Sequence, residues 1–246
     1  MLTISVVSHR QAALVSTLLS DIEKYCRTFP LQVIVTINVP EPLPFSAPDF
    51  PFDLIVVENP VRQGFGANHN AACRRASGEI FCIVNPDVRL EVDPFPALRD
   101  ALRDPKVGVV APKVLRPDGS AEIHARAFPR ATTILKKALF GIRSEFIDVG
   151  DSARAVDWVA GMFMVFRTEL FRSIGGFDER YFLYYEDVDL CARLQRAGYE
   201  ARVEPRARVV HDARHASHRN LRYFLRHIKS MMRYMLTMPG TIPPLS

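Results

Sequence analysis

Residues 80–90 read I-F-C-I-V-N-P-D-V-R-L, and this stretch decides the fold. Ile80 to Val84 form an unbroken apolar run of strand length, preceded by Gly78 and ended abruptly by Pro86. A strand without polar alternation is buried on both faces, as in a parallel sheet covered by helices. In such sheets ligands bind beyond the carboxyl ends of the strands. Asp87 falls there, beside a proline that fixes the neighbouring backbone. A carboxylate at that place can hold a divalent cation, Mg2+ or Mn2+, against the phosphates of a nucleotide, because such cations take hard oxygen ligands. Asn85-Pro86-Asp87 is equally the chemistry of an ordinary turn, so the flanking sequence has to choose.

Working outward toward the N-terminus, Leu54 to Val57, Leu31 to Ile37 and Leu2 to Val7 are further apolar strands. Leu14, Leu18, Leu19 and Ile22 recur at helical spacing between the first two. Strands alternating with helices at this pace predict right-handed crossovers and a mostly parallel sheet. Pro40 to Pro51 reads as a loop. Residues 62–70, R-Q-G-F-G-A-N-H-N, open a helix that runs to about Ser77. Gly64 and Gly66 there permit a tight turn and close approach to a ligand, and free amides at a helix start suit an anion. The third glycine of a dinucleotide fingerprint is missing, and a loop that only turns the chain fits as well.

Toward the C-terminus, a short helix around Phe95, Leu98 and Leu102 precedes a buried strand from Val107 to Ala111. From Lys113 the texture becomes charged, with a turn at Asp118-Gly119 and a small apolar-basic helix expected over 134–143. Val159 to Phe166 reads as one strand. Gly175-Gly176 then break the chain before Phe177, Tyr181, Phe182, Tyr184 and Tyr185, which surround Glu186, Asp187 and Asp189 at the start of a helix. Taken singly, these carboxylates are explained by an N-cap, the helix dipole and an i, i+4 pair of Asp189 with Arg193. Packed together among aromatics, they would have raised proton affinity, which suits a general base.

The bulk numbers bound the class. A chain of 246 residues with 48% hydrophobic and 24% charged residues has globular composition. The formal net charge of +5 suits an anionic partner. Cys26, Cys73, Cys82 and Cys191 are widely spaced without a C-x-x-C pair, so buried reduced thiols are expected. Met1 leads directly into a strand and no apolar run approaches membrane-spanning length, so a soluble cytoplasmic protein is expected. The basic residues accompany no nucleic-acid-binding module, which argues against nucleic acid as the partner.

Six motifs in order mark a resemblance over nearly the whole length. They are G-F-G-A-N-H-N at 64–70, N-P-D-V at 85–88, W-V-A-G at 158–161, G-G-F-D-E at 175–179, E-D-V-D-L-C at 186–191, and His211 with Ser217. The chain resembles the family 2 glycosyltransferases of the GT-A fold, and within them the bacterial rhamnosyltransferase-like branch. The resemblance implies an α/β fold, a mostly parallel Rossmann-like sheet flanked by helices. It implies inverting transfer of a sugar, rhamnose from dTDP-rhamnose as the best match, from a nucleotide-sugar donor to a glycan or lipid-linked acceptor in cell-surface polysaccharide synthesis. The runner-up is a non-catalytic nucleotide-sugar-binding or scaffolding protein derived from the same fold.

Position by position, the resemblance makes Asp87 the metal-binding carboxylate, with Asn85 where a first aspartate often stands. Asp187 matches the catalytic base, with Glu186 beside it, and His211 matches a histidine that reaches the metal or the diphosphate. Trp158 and Asp178 would line the sugar site, and Gly64, Gly66 and Asn70 the donor side. Ser8, Arg10 and Asn38 end the first two strands where the family shows a Tyr-Asn ending and an Asp-Asn pair, and both positions flank its nucleobase pocket. The expected organisation is a single domain, 1–246, with a nucleotide-sugar half at 1–111, an acceptor and catalytic half at 112–216, and a basic amphipathic tail at 217–246. In the tail, Leu221, Phe224, Leu225, Ile228, Met231, Met232 and Met235 form an apolar stripe among arginines. Such a helix either lies on the inner face of an anionic membrane, making the protein peripheral there, or packs on the domain with its basic face in water.

Overall fold

The computed structural model describes residues 1–129, 150–212 and 221–237. The helix expected over 134–143, Ser217 and the chain beyond residue 237 lie outside the described residues. The first half alternates β1 (Leu2–Ser8), α1 (Ala12–Tyr25), β2 (Leu31–Ile37), β3 (Asp53–Glu58), α2 (Phe65–Arg75) and β4 (Ile80–Val84). The proline-rich loop between β2 and β3 holds one 3-10 turn at Ala47–Asp49. After β4 come β5 (Val88–Arg89), α3 (Phe95–Ala101), β6 (Val107–Leu115) and β7 (Ala125–Arg126). β8 (Arg154–Val156), β9 (Trp158–Val159), β10 (Phe163–Arg167), α4 (Thr168–Ser173), α5 (Glu186–Arg196), β11 (Glu200–His211) and α6 (Leu221–Thr237) complete the order.

The main sheet runs β3-β2-β1-β4-β10-β6-β11-β5, with β8 also on β11. The first four strands are parallel, as is the β6–β11 pair. β10 enters antiparallel between β4 and β6. Its direction follows from where the chain arrives. β7 and β9 form a small separate sheet, and Ala160 N–H bonds His124 O at 2.8 Å. The chain then starts β10 with Phe163 opposite Val84, at the carboxyl end of β4, and runs down to Arg167 opposite Ile80.

β4 is buried as its apolar run predicts. Cys82 and Val84 face a core built with α1 and α3, whereas Phe81 and Ile83 face a second core built with α2 and α5. Alternate residues thus serve opposite layers, the period-two geometry of a strand. Strands of both halves share this one sheet, since β1 and β10 flank β4. All four cysteines are buried and free.

Two expectations need correction. Val159 to Phe166 is not one strand, because Val159 belongs to the small β7–β9 sheet, Phe163 starts β10 of the main sheet, and residues 160–162 between them are in neither. Gly161 N–H is claimed by Asp187 Oδ2 at 3.0 Å, and Met162 O accepts from Asn85 N at 2.9 Å. Asp189 is also not part of an acidic cluster. Its carboxylate pairs with Arg193 at 2.8 Å, the i, i+4 alternative.

Candidate active site

Val84 ends β4, and Val88 N–H closes a turn onto Asn85 O at 3.1 Å. The turn feeds β5, whose Val88 and Arg89 pair with His211 and Val210 of β11. Asp212 N–H then bonds Asp87 O at 2.9 Å. This short antiparallel pairing sets His211 Nε2 3.3 Å from Asp87 Oδ2. Two residues 124 positions apart, singled out separately in the sequence, therefore meet at the carboxyl end of β4. The other imidazole nitrogen, Nδ1, lies 2.8 Å from Glu122 Oε2. Burial alone would lower the His211 pKa, but hydrogen bonds and charge from Asp87 and Glu122 outweigh it and raise it to about 9. Asp87 Oδ1 is buried without a hydrogen-bond partner. A buried carboxylate oxygen left unpaired is costly, and a cation would satisfy it.

Among the described residues no group of three or more His, Cys, Asp or Glu is arranged to hold a metal ion. The donors present are one carboxylate and one histidine. That set suits an octahedral cation that takes its remaining ligands from phosphates and water. Glu122 escaped the sequence reading, because a lone glutamate in a charged stretch carries no pattern. Its signal lies only in the pairing with His211, of the kind that orients metal-ligating histidines.

The 160–162 loop joins this cluster to a second one. It bonds Asn85 on one side and Asp187 on the other. Glu186 and Asp187 open α5, directly after Tyr184 and Tyr185, whose φ angles are 70° and 68°. Two consecutive non-glycine residues in the left-handed region cost of order 1–3 kcal/mol each and persist only where the surroundings enforce them. Here α6 packs against them. Ser230 Oγ donates to Leu183 O at 2.9 Å, and the His227 ring packs 5.4 and 5.3 Å from the rings of Tyr184 and Tyr185.

The two carboxyls differ in kind. Asp187 keeps part of its surface accessible, and its oxygens accept from Gly161 N and Val188 N at 3.0 and 2.9 Å. Burial raises its pKa, while those amides and the charge of Arg126 restrain the rise. Glu186 is buried and its Oε2 has no partner. Burial, and then the charge of Asp187, push its pKa well above the ordinary range. Both carboxyls are thus pushed toward the protonated form, Glu186 the more strongly, because backbone amides restrain Asp187.

The glycine loop 62–66 packs against the segment leading to this pair. A Cβ on Gly64 would lie 2.8 Å from Phe182 O, and one on Gly66 would lie 2.6 Å from Phe177 Cβ. Their missing side chains admit the chain's own 177–182 segment, where the sequence suggested ligand approach. Asn70 is likewise a brace, since its amide bonds Phe177 N and O at 2.9 Å each and Glu179 at 3.1 Å. Asn38 accepts from Gln63 N at 2.8 Å and donates to Gln63 O at 3.0 Å, fixing the loop to the end of β2.

Most of the remaining candidates have local partners of their own. Ser8 Oγ donates to Glu41 Oε1, and Glu41 Oε2 accepts from Ala12 N at 2.9 Å, so a carboxylate of the proline-rich loop covers the start of α1. Arg10 follows with φ 62° and an exposed side chain. Trp158 Nε1 donates to Ala127 O at 3.0 Å, and the Arg126 guanidinium lies 5.9 Å from its ring centroid. Asp178 is gripped by Arg180, which lowers its pKa.

The family model described as glycosyltransferase like family 2 matches residues 47–236, more than half of the chain and including both clusters. The chain belongs to the family 2 glycosyltransferases. This glycosyltransferase is 36% identical over 150 residues to the N-acetylglucosaminyl-diphospho-decaprenol L-rhamnosyltransferase of Mycobacterium tuberculosis, covering 56% of the chain and 48% of that relative. It therefore spans about half the length of that relative. It is 30% identical over 188 residues to the rhamnosyltransferase WbbL of Escherichia coli, covering 70% of each. Its branch is rhamnosyltransferase-like. Among solved structures it matches a mannosyltransferase of Pyrobaculum calidifontis in complex with GDP-Man and Mn2+, with TM-score 0.65, 21% identity, and coverage of 99% of this chain and 66% of the other. It also matches GalNAc-T7 with UDP, GalNAc and Mn2+, with TM-score 0.73, 14% identity, and coverage of 98% and 48%. At these identities the likeness concerns the fold, which is GT-A.

Proposed function

We propose that this glycosyltransferase moves a deoxyhexose, rhamnose from dTDP-rhamnose, onto a lipid-linked or glycan acceptor in cell-surface polysaccharide synthesis, with inversion at the anomeric carbon. One observation carries the reading: a single loop, 160–162, joins a turn with an unpaired buried carboxylate oxygen to a carboxyl pair whose proton affinities differ. The first cluster suits a diphosphate with its cation, and the second a reacting hydroxyl. The name of the mycobacterial relative supports a lipid-linked acceptor and rhamnose.

Asp87 and His211 would hold Mg2+ or Mn2+, which when bound neutralises charge on the departing nucleoside diphosphate. His211, held by Glu122, keeps its Nε2 toward the same oxygens. Asp187 accepts the proton of the acceptor hydroxyl while the hydroxyl oxygen bonds the anomeric carbon. The bond from that carbon to the phosphate oxygen breaks on the opposite face, and its electron pair leaves with the diphosphate. One base suffices, and no covalent enzyme intermediate is formed. Glu186, pushed further toward the protonated form than Asp187, favours placing the negative charge on Asp187.

Incubation with a panel of nucleotide sugars and polyprenyl-diphosphate acceptors, with and without Mn2+, tests the reading. Transfer from dTDP-rhamnose with release of dTDP is expected. Binding of a nucleotide sugar without transfer or hydrolysis under any condition would establish the scaffolding alternative instead.

A further inference from the structure

α6 packs on the domain with its polar side. In the 17-residue sequence L-R-Y-F-L-R-H-I-K-S-M-M-R-Y-M-L-T, the positions buried against the domain are Ser230 and Tyr234. Ser230 bonds Leu183 O, the Tyr234 ring packs tilted at 5.6 Å from that of Tyr185, and Arg226 lies 4.3 Å over the Phe182 ring. At 100° per residue Phe224, Leu225, Met232 and Leu236 fall on the opposite arc, while Ile228, Met231 and Met235 on its border are half-buried and Met235 packs against the core. Phe224, Leu225, Met232 and Leu236 are 61%, 57%, 57% and 76% exposed. These are four of the eight exposed large hydrophobics among the described residues, gathered on one helix. The expectation of a packed helix with its basic face in water is thus half met. The helix is packed, but Phe224, Leu225, Met232 and Leu236 of its apolar face turn outward.

The charge on α6 indicates what covers this face. The helix carries Arg222, Arg226, Lys229 and Arg233 and no acidic residue. Lys229 and Arg233 follow directly on the Leu225–Leu236 side of the arc. A two-fold contact with a second copy would bring like charges together with no carboxylate on the helix to answer them. Basic residues bordering a broad apolar arc instead match the anionic headgroups and acyl boundary of a bilayer. Among the described residues no helix is long and apolar enough to cross a membrane, so α6 would lie in the surface.

We infer that α6 is a membrane-docking helix, whose apolar arc enters an anionic lipid surface while its Ser230–Tyr234 seam holds the segment bearing Glu186 and Asp187. Docking needs only the geometry of α6. Its consequence for catalysis, a short reach from the bilayer to the base, rests on the proposed lipid-linked acceptor. The seam ties the membrane face to the turn immediately before Glu186, so an acceptor anchored in that surface meets the base without leaving the lipid.

The full chain is sedimented with phosphatidylcholine vesicles and with vesicles that also contain phosphatidylglycerol. The mixed vesicles are expected to retain it at least about tenfold more strongly, since several basic residues border the apolar arc and are drawn to an anionic surface. The double variant Leu225→Glu, Met232→Glu alters exposed positions only. It should lose vesicle binding while keeping its melting temperature and donor binding. Equal retention of the double variant, or no retention of the wild type, would overturn the inference. So would a dimer seen by light scattering that the double variant dissolves, because the face would then belong to a second copy. Asp187→Asn should bind vesicles like the wild type. Vesicle binding without sugar transfer by the wild type would therefore count against the transferase reading alone.

Discussion

At the scale of single residues, the two carboxyls at the start of α5 differ in surroundings: Asp187 accepts from two backbone amides, whereas Glu186 Oε2 is buried without a partner. Asp187→Asn removes the proton acceptor and should lower turnover by about 10²–10⁴-fold, the usual worth of a general base. Donor affinity, measured by calorimetry, should stay unchanged, because the loss lies in the transition state. One backbone amide, of Gly161 or Val188, loses its acceptor, so a small drop in melting temperature accompanies it. Glu186 gives a pH signature of known sign. Its folded-state pKa is raised, so its contribution to stability is complete below the ordinary value of 4.5 and is lost as pH rises toward the folded value. The slope in that window is at most about 1.4 kcal/mol per pH unit. Gln stands in for the protonated acid, so urea unfolding should show the wild type falling progressively below Glu186→Gln as pH increases, whereas parallel curves would place the charge elsewhere. For Asp87→Ala, calorimetry should show that Mn2+ no longer strengthens nucleoside diphosphate binding. Asp87 and Asp187 were legible in sequence because each follows a strong local signal, a proline after an apolar run and glycines before an aromatic cluster. Glu122 was not, because only the fold brings it to His211.

At the scale of elements, apolar runs announced the strands, and period-two burial in β4 shows why. Each of its residues serves a core, so no polar residue is admitted. What pattern could not convey was pairing. β5 has two residues, too few for any periodicity, yet its register with β11 builds the Asp87–His211 contact. The break at 160–162 was hidden for a related reason. Its residues are apolar like a strand, and it is distant hydrogen bonds from Asn85 and to Asp187 that hold them between the two sheets. The glycine loop looked like a ligand cradle in sequence because close approach to a phosphate and to Phe177 require the same missing Cβ. Gly66→Ala separates these roles. The new methyl would meet Phe177 Cβ at 2.6 Å, a side-chain base that cannot swing aside. Overpacking of this kind costs about 1–3 kcal/mol and should appear as a lower urea midpoint. A stable Gly66→Ala protein with weakened donor affinity would instead return the loop to a ligand-binding role.

At the scale of the whole molecule, the active-site edge is assembled from widely separated parts. The end of β4 supplies Asp87, β11 supplies His211, and α5 supplies Asp187, the proposed base. α6, the last described element, clamps the turn that presents that base. The composition allowed a basic amphipathic tail but could not say which face it buries, because Ser230 and Tyr234 look no more like core than Met231 or Leu236. Their burial is dictated by what they meet, the carbonyl of Leu183 and the ring of Tyr185. A chain ended at residue 220 therefore tests more than a tail. The left-handed Tyr184 and Tyr185 would lose their contacts with α6 and relax, as strained backbone does when its surroundings release it. Amide exchange should accelerate across 181–190 while β1 and β4 stay protected, since their cores lie on the sheet. Transfer should fall with the base misplaced, and Mn2+-dependent diphosphate binding should persist, because β5 and β11 hold Asp87 and His211 without α6. Unchanged exchange across 181–190 would mean that the turn is fixed by the glycine loop alone, through the bond from Phe65 N to Phe182 O at 2.9 Å.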